Sequence, residues 1–177
     1  MEFSALAQIR QSDRKYLDKP VEVDQLQQCL ETARLSPSAT NSQPWKFIVV
    51  NDPALKEPLA DCVVSMGMNH FTREAPVIIA VVLEKMNVLS SVASVLQGKE
   101  YALLDLGIAV NQLCLQAADL GLGTCIIGWF NEKKVKHLLQ INKKKRVPLL
   151  ITLGYPDGPT RPKNRKPIEQ VISWNKY

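Results

Sequence analysis

Three stretches of the chain carry residue types whose spacing suits chemistry. Arg10-x-Ser12-x-Arg14 lies near one end, Lys163-x-Arg165 near the other, and Pro37-Ser38-Ala39-Thr40-Asn41-Ser42-Gln43-Pro44-Trp45 between them. Arginine offers a planar fork of N–H donors matched to phosphate oxygens, and a neighbouring hydroxyl such as Ser12 adds another bond. The middle stretch is rich in hydroxyls and uncharged amides, which can hydrogen-bond the edge of a flat polar ring. The same groups can instead satisfy the backbone of their own loop, and the residues alone leave both readings open.

Other chemistries find little support. Cys29, Cys62, Cys114 and Cys125 form no CxxC pair, and His70 and His137 have no HExxH spacing, so neither a zinc site nor an iron–sulfur cluster is expected. Gly121-Leu122-Gly123 with Gly128 follows a helical pattern and precedes a strand, the reverse of a dinucleotide-binding turn. No histidine has a sequence context that links it to Ser38 as a nucleophile. The net charge of +5 favours an anionic ligand. An aromatic content of 6%, with no basic stripe interleaved with rings, argues against nucleic acid. The basic cluster Lys133, Lys134, Lys136 and Lys143 to Arg146 reads as a solvated helix end and loop.

The elements that must position these residues follow from apolar periodicity. Asp24 caps a helix carrying Leu26, Cys29, Leu30 and Ala33, which Pro37 brings to an end. Trp45 to Val50 reads as a buried strand. Asp52-Pro53 opens a helix to about Ser65, followed by a loop from Met66 to Glu74. Val77 to Leu83 reads as a central strand covered on both faces. The longest helix is expected from about Gly98 to Leu120, so apolar around its circumference that it belongs in a core or a subunit interface. Gly121 or Gly123 supplies its left-handed stop. Cys125 to Ile127 is a short strand, Asn131 and Glu132 open a helix to Leu139, and Val147 to Leu153 is a further strand. The tail from Asp157 to Tyr177 is expected as an extended arm. This alternation indicates one layered α/β or α+β domain over residues 1–177. The apolar run Ala75 to Leu83 is too short to span a bilayer as a helix, the amino terminus lacks a secretory pattern, and four unpatterned cysteines suit a reducing cytoplasm.

Five ordered motifs together carry a resemblance: Arg10-x-Ser12-x-Arg14, the Pro37 to Trp45 stretch, Gly121-Leu122-Gly123-Thr124-Cys125 through Gly128, Leu153-Gly154-Tyr155-Pro156, and Lys163-x-Arg165. Over nearly its whole length the chain resembles the FMN-dependent nitroreductase family. That resemblance implies an α+β, three-layer fold with a central, mostly antiparallel sheet flanked by helices, and an intertwined homodimer with FMN at its interface. It implies ping-pong transfer of hydride from NAD(P)H through the flavin to a small-molecule acceptor such as a nitroaromatic or quinone; composition and the short apolar runs add the expectation of no nucleic-acid or membrane partner. By position, Arg10 and Ser12 with Lys163 and Arg165 would hold the FMN phosphate. Arg14 would lie near the N1–C2 edge of the ring, and Pro37, Ser38, Ala39 and Asn41 would reach the ring from the partner subunit. The backbone N–H of Ile127 or Gly128 would meet flavin N5, and Asn69 would add a contact. Many members carry an acidic residue where this chain has Ile127, which preserves a backbone role and removes a side-chain one. Two further readings stay open: a flavin-binding redox sensor or reservoir without turnover, and a basic module that binds nucleic acid through residues 133–146.

Overall fold

The computed structural model describes residues 1–64 and 68–177. In chain order these form α1 (Phe3–Ile9), α2 (Val23–Arg34), β1 (Trp45–Val50), α3 (Pro53–Asp61), β2 (Val77–Leu83), α4 (Val88–Gln97), α5 (Tyr101–Asp119), β3 (Gly123–Ile127), α6 (Glu132–Leu138) and β4 (Arg146–Gly154). Short 3-10 turns occur at Ala39–Asn41, His70–Arg73 and Ile168–Gln170. The strands make one sheet in the order β1-β2-β4-β3, and every pairing is antiparallel.

The period-two alternation of β2 builds two cores. Ile78, Ala80 and Val82 face one side with Val50, Leu150, Leu59 and Ala60 of α3, and Val135 of α6. Val77, Ile79 and Val81 face the other with Leu26, Cys29 and Ala33 of α2 and Leu106, Val110, Leu113 and Ala117 of α5. The result is an α+β fold of three layers, helices on both faces of a sheet whose inner strand β2 is apolar throughout. β4 carries one extra residue opposite Val81 to Leu83, a bulge that contains Pro148, where a missing N–H costs least.

The strands and most helices lie where the sequence predicts them, with shifted ends. α2 starts at Val23 with Glu22 at its N-cap, so Asp24 sits in the first turn near the positive end of the helix dipole. α3 stops at Asp61, because Cys62 and Val63 make turn-type hydrogen bonds to Leu59 and Ala60. The expected end of this helix at Ser65 and the loop start at Met66 lie outside the described residues. α5 begins at Tyr101, since Gly98 adopts φ +61 and breaks the pattern, and Gly121 at φ +75 provides its stop. α5 is long and apolar enough to cross a bilayer by length and composition; one face is buried against α2 and the sheet, while Leu104 and Ile108 remain 60% and 42% exposed. Helices α1 and α4 had no clear signal. The tail beyond Gly154 is largely irregular and exposed, as its prolines imply.

Candidate anion and ring-binding site

After α1 the backbone turns extended at Arg10 and runs along the free edge of β3. Ser12 bridges Thr124 in parallel fashion, and the Asp13 N–H donates to the Thr124 carbonyl at 2.9 Å. Tyr16 then bridges Pro156, with its hydroxyl buried between the Asp13 carbonyl at 2.9 Å and Thr152 Oγ1 at 2.7 Å. Burial pushes the Tyr16 phenol far up, so it stays protonated as a donor. Gly154 is needed beneath this crossing: a Cβ there would lie 2.5 Å from Pro76 Cδ and 3.0 Å from the Tyr16 ring.

The tail returns to the same edge. The Arg161 backbone N–H donates to Gln11 Oε1 at 3.0 Å, and its guanidinium donates to the Ser12 carbonyl. Gln11 Nε2 in turn donates to Asp13 Oδ1 at 2.8 Å, and the Lys163 ammonium donates to the Arg10 carbonyl. Arg10, Ser12, Arg14, Arg161, Lys163 and Arg165 thereby line one cavity of about 310 Å³. The crowding has an electrostatic signature. Desolvation lowers the Lys163 pKa first, and the facing charges of Arg10 and Arg165 lower it further, against the pull of Asp13. Asp13 itself is 9% exposed, and burial raises its carboxyl above the usual range despite Gln11 and Arg161. An anion in this cavity would relieve the repulsion among its cations.

Five predicted residues, Arg10, Ser12, Arg14, Lys163 and Arg165, therefore come together from opposite ends of the chain. Gln11, Asp13 and Arg161 were missed. The alternation Arg161-x-Lys163-x-Arg165 was the available signal for Arg161, since extended chain repeats its direction every second residue.

The Pro37 to Trp45 stretch forms a tight loop with positive φ at Thr40 (48°), Asn41 (55°) and Gln43 (47°). Ser38 Oγ accepts from the Gln43 N–H at 2.9 Å, and Gln43 Nε2 donates to the carbonyl and Oδ1 of Asn41 at 3.2 and 3.1 Å. The Ala39 N–H donates to the buried Asp105 carboxylate of α5 at 2.9 Å. Ser38 and Gln43 thus brace the loop itself, while Pro37 and Asn41 stay exposed. None of Pro37, Ser38, Ala39 or Asn41 lines the basic cavity of the same chain.

Ile127 ends β3, buried, and exposed Gly128 follows it. The outward carbonyl of Thr124 fixes the alternation of the strand: Cys125 and Ile127 turn their backbone polar groups toward β4, where Ile127 pairs with Leu150. The Gly128 N–H lies past the last pair. Asn69, at φ 63, opens the turn that packs beside α3, where its carbonyl accepts from the Thr72 N–H and hydroxyl; it is not part of the basic cavity. Cys125 is buried in the core, consistent with a packing role. Much of the lysine cluster is used as bracing. Lys136 donates to the carbonyls of Lys143 and Lys145, Lys145 pairs with Glu84, and Arg146 pairs with Glu132. A wider groove of about 910 Å³ opens beside it, lined by residues of α6 and the following turn, and shares no residue with the predicted motifs.

Comparison with known proteins agrees with this geometry. A family described as the nitroreductase family matches residues 7–155. An oxygen-insensitive NADPH nitroreductase from Helicobacter pylori is 31% identical over 185 aligned residues, covering 85% of each chain. Among solved structures, a nitroreductase family protein from Streptococcus pneumoniae superposes with a TM-score of 0.84 at 28% identity, covering 98% of this chain and 100% of the other. An FMN-dependent nitroreductase from Clostridium difficile gives 0.81 at 27% identity, covering 97% and 98%.

Proposed function

This chain belongs to the nitroreductase family, and we propose that it is an FMN-dependent oxidoreductase that draws hydride from NADH or NADPH to reduce a small electron-poor acceptor, a nitroaromatic or quinone. The observation that carries the reading is the closure of Arg10 to Arg14 upon Arg161 to Arg165 around one cavity. Its chemistry fits a phosphate dianion: guanidinium forks, an ammonium and a hydroxyl, with Lys163 depressed first by desolvation and then by the facing charges of Arg10 and Arg165.

In this reading Arg10, Ser12, Lys163 and Arg165 hold the phosphate, and Arg161 reinforces them by fastening the tail to Gln11 and Ser12. Arg14, exposed at the rim, brings a fixed positive charge to the N1–C2 edge of the ring, where it stabilises added electron density. When bound, FMN supplies the hydride-accepting and hydride-donating centre. The Gly128 N–H, free of the β4 ladder, is the backbone donor suited to ring N5, and Ile127 buttresses it from the core. Pro37, Ser38, Ala39 and Asn41 meet the ring of the partner subunit's cofactor, and Asn69 borders the same site. The exposed apolar side chains of Leu104 and Ile108 on α5, and of Val171, Ile172 and Trp174 in the tail, support a homodimer that covers them. We assign the protein to the cytoplasm, a compartment that suits its four free cysteines.

The test is spectroscopic. Protein purified after growth with riboflavin should be yellow, and anaerobic NADH or NADPH should bleach the flavin band, with recovery on adding a quinone. A colourless protein that takes up no FMN defeats the proposal; bound flavin that neither nucleotide reduces leaves a carrier or sensor instead.

A further inference from the structure

The described side chains of helix α4 fasten it to the protein mainly through polar groups. Among the described residues, no α4 side chain joins either apolar core, and Val88, Leu89, Val92 and Leu96 are all more than half exposed. Its attachment begins at Asn87, whose Oδ1 accepts the Ser90 N–H at 2.9 Å and caps the helix. The Nδ2 of the same residue donates to the Thr40 carbonyl at 3.1 Å and to Thr40 Oγ1 at 2.7 Å. Ser90, 1% exposed, donates to the Ala39 carbonyl at 3.0 Å, accepts from Ser42 Oγ at 3.0 Å, and contacts Thr40 Oγ1. A helix cap requires only the first of these bonds. The others reach 47 to 51 residues back in the chain, onto the loop that bears the ring-edge motif.

That loop needs holding. Thr40 is β-branched and sits at φ 48, followed by Asn41 at φ 55. Left-handed backbone at a β-branched residue is unfavourable and persists only where neighbours over-determine it. Here the neighbours are Asn87 and Ser90 on one side and the Asp105 carboxylate, through the Ala39 N–H, on the other.

We propose that Asn87 and Ser90 are positioning residues, which hold the left-handed turn at Thr40 and Asn41 in its ring-facing shape and couple the order of α4 to occupancy of the flavin site. The proposal rests on the FMN reading above. The coupling is reciprocal: a ligand that steadies the loop protects α4, and loosening the start of α4 weakens the ligand by the same factor.

Two variants separate the helix cap from the loop contact. Asn87→Asp keeps a capping oxygen but loses the Nδ2 donor to Thr40, and Ser90→Ala keeps the cap but loses the donation to Ala39. On the full chain, FMN titration and amide hydrogen exchange should be measured together. In the wild type, FMN should slow exchange in residues 39–43 and 88–97 alike. Both variants should bind FMN roughly tenfold more weakly, as expected for one lost buried hydrogen bond, and should lose the protection of 88–97. Wild-type affinity in both variants, or α4 exchange indifferent to FMN, overturns the proposal. If the wild type takes up no flavin, the FMN reading fails separately. The coupling is then judged in the ligand-free chain, where Ser90→Ala should speed exchange in both segments; a rise confined to 88–97 overturns it.

Discussion

Asp13 fills the space that a side chain on Gly123 would need. A Cβ at Gly123 would lie 2.6 Å from Asp13 Oδ2 and 2.8 Å from its Cγ, well inside van der Waals contact. The bare edge of β3 therefore lets a carboxylate tuck behind the cation cavity. From there it orients Gln11, which in turn receives the Arg161 backbone.

Gly123→Ala should displace that carboxylate. The expected loss is about 1–3 kcal/mol of unfolding free energy, typical of overpacking a filled site. Chemical denaturation checks it. Adding Asp13→Ala should recover part of the loss, a non-additivity expected of residues in contact; strictly additive losses would contradict the contact.

Stability should fall with rising pH through Asp13. Its folded pKa is raised, chiefly by desolvation, so the folded chain holds this proton more tightly than the unfolded chain does. The linked stabilisation is complete below the ordinary aspartate pKa of about 3.9 and is lost as pH climbs through the raised folded value. Asp13→Asn removes that slope. Urea unfolding of both proteins across this window should show the asparagine variant gaining on the wild type as pH increases; parallel curves would refute the assignment.

Arg10→Ala combined with Arg165→Ala should release FMN. Each charged hydrogen bond lost costs on the order of 1.5–3 kcal/mol, so the dissociation constant should rise by at least tenfold. Fluorescence titration of the refilled protein measures it. Unchanged retention would defeat the phosphate assignment.

Leu104 and Ile108 lie one turn apart on the exposed side of α5. Replacing both with aspartate should place charge in the proposed subunit contact and give a monomer at micromolar concentration in sedimentation, with FMN lost alongside. A monomer that keeps its flavin would argue against a pocket shared between subunits.

The sequence revealed elements that announce themselves locally and missed features made by contacts at a distance. β2 could be read because seven consecutive apolar residues suit only a strand covered on both faces. α1 escaped because it has no side-chain cap and no buried residue, and α4 because serines interrupt its apolar pattern. The basic cavity was visible through its repeating charges. Asp13 was not, since its role depends on the missing side chain at Gly123, 110 positions away along the sequence. The shape of the ring-edge loop was equally hidden: nothing near Thr40 indicates that Asn87 will hold its carbonyl.

The cavity draws three of its five cations from residues 161–165, whereas the sheet is complete at Gly154. On the ribosome, every strand therefore emerges before the basic cavity can close. A chain stopped just after the last strand would hold all of its sheet residues and still lack Arg161, Lys163 and Arg165.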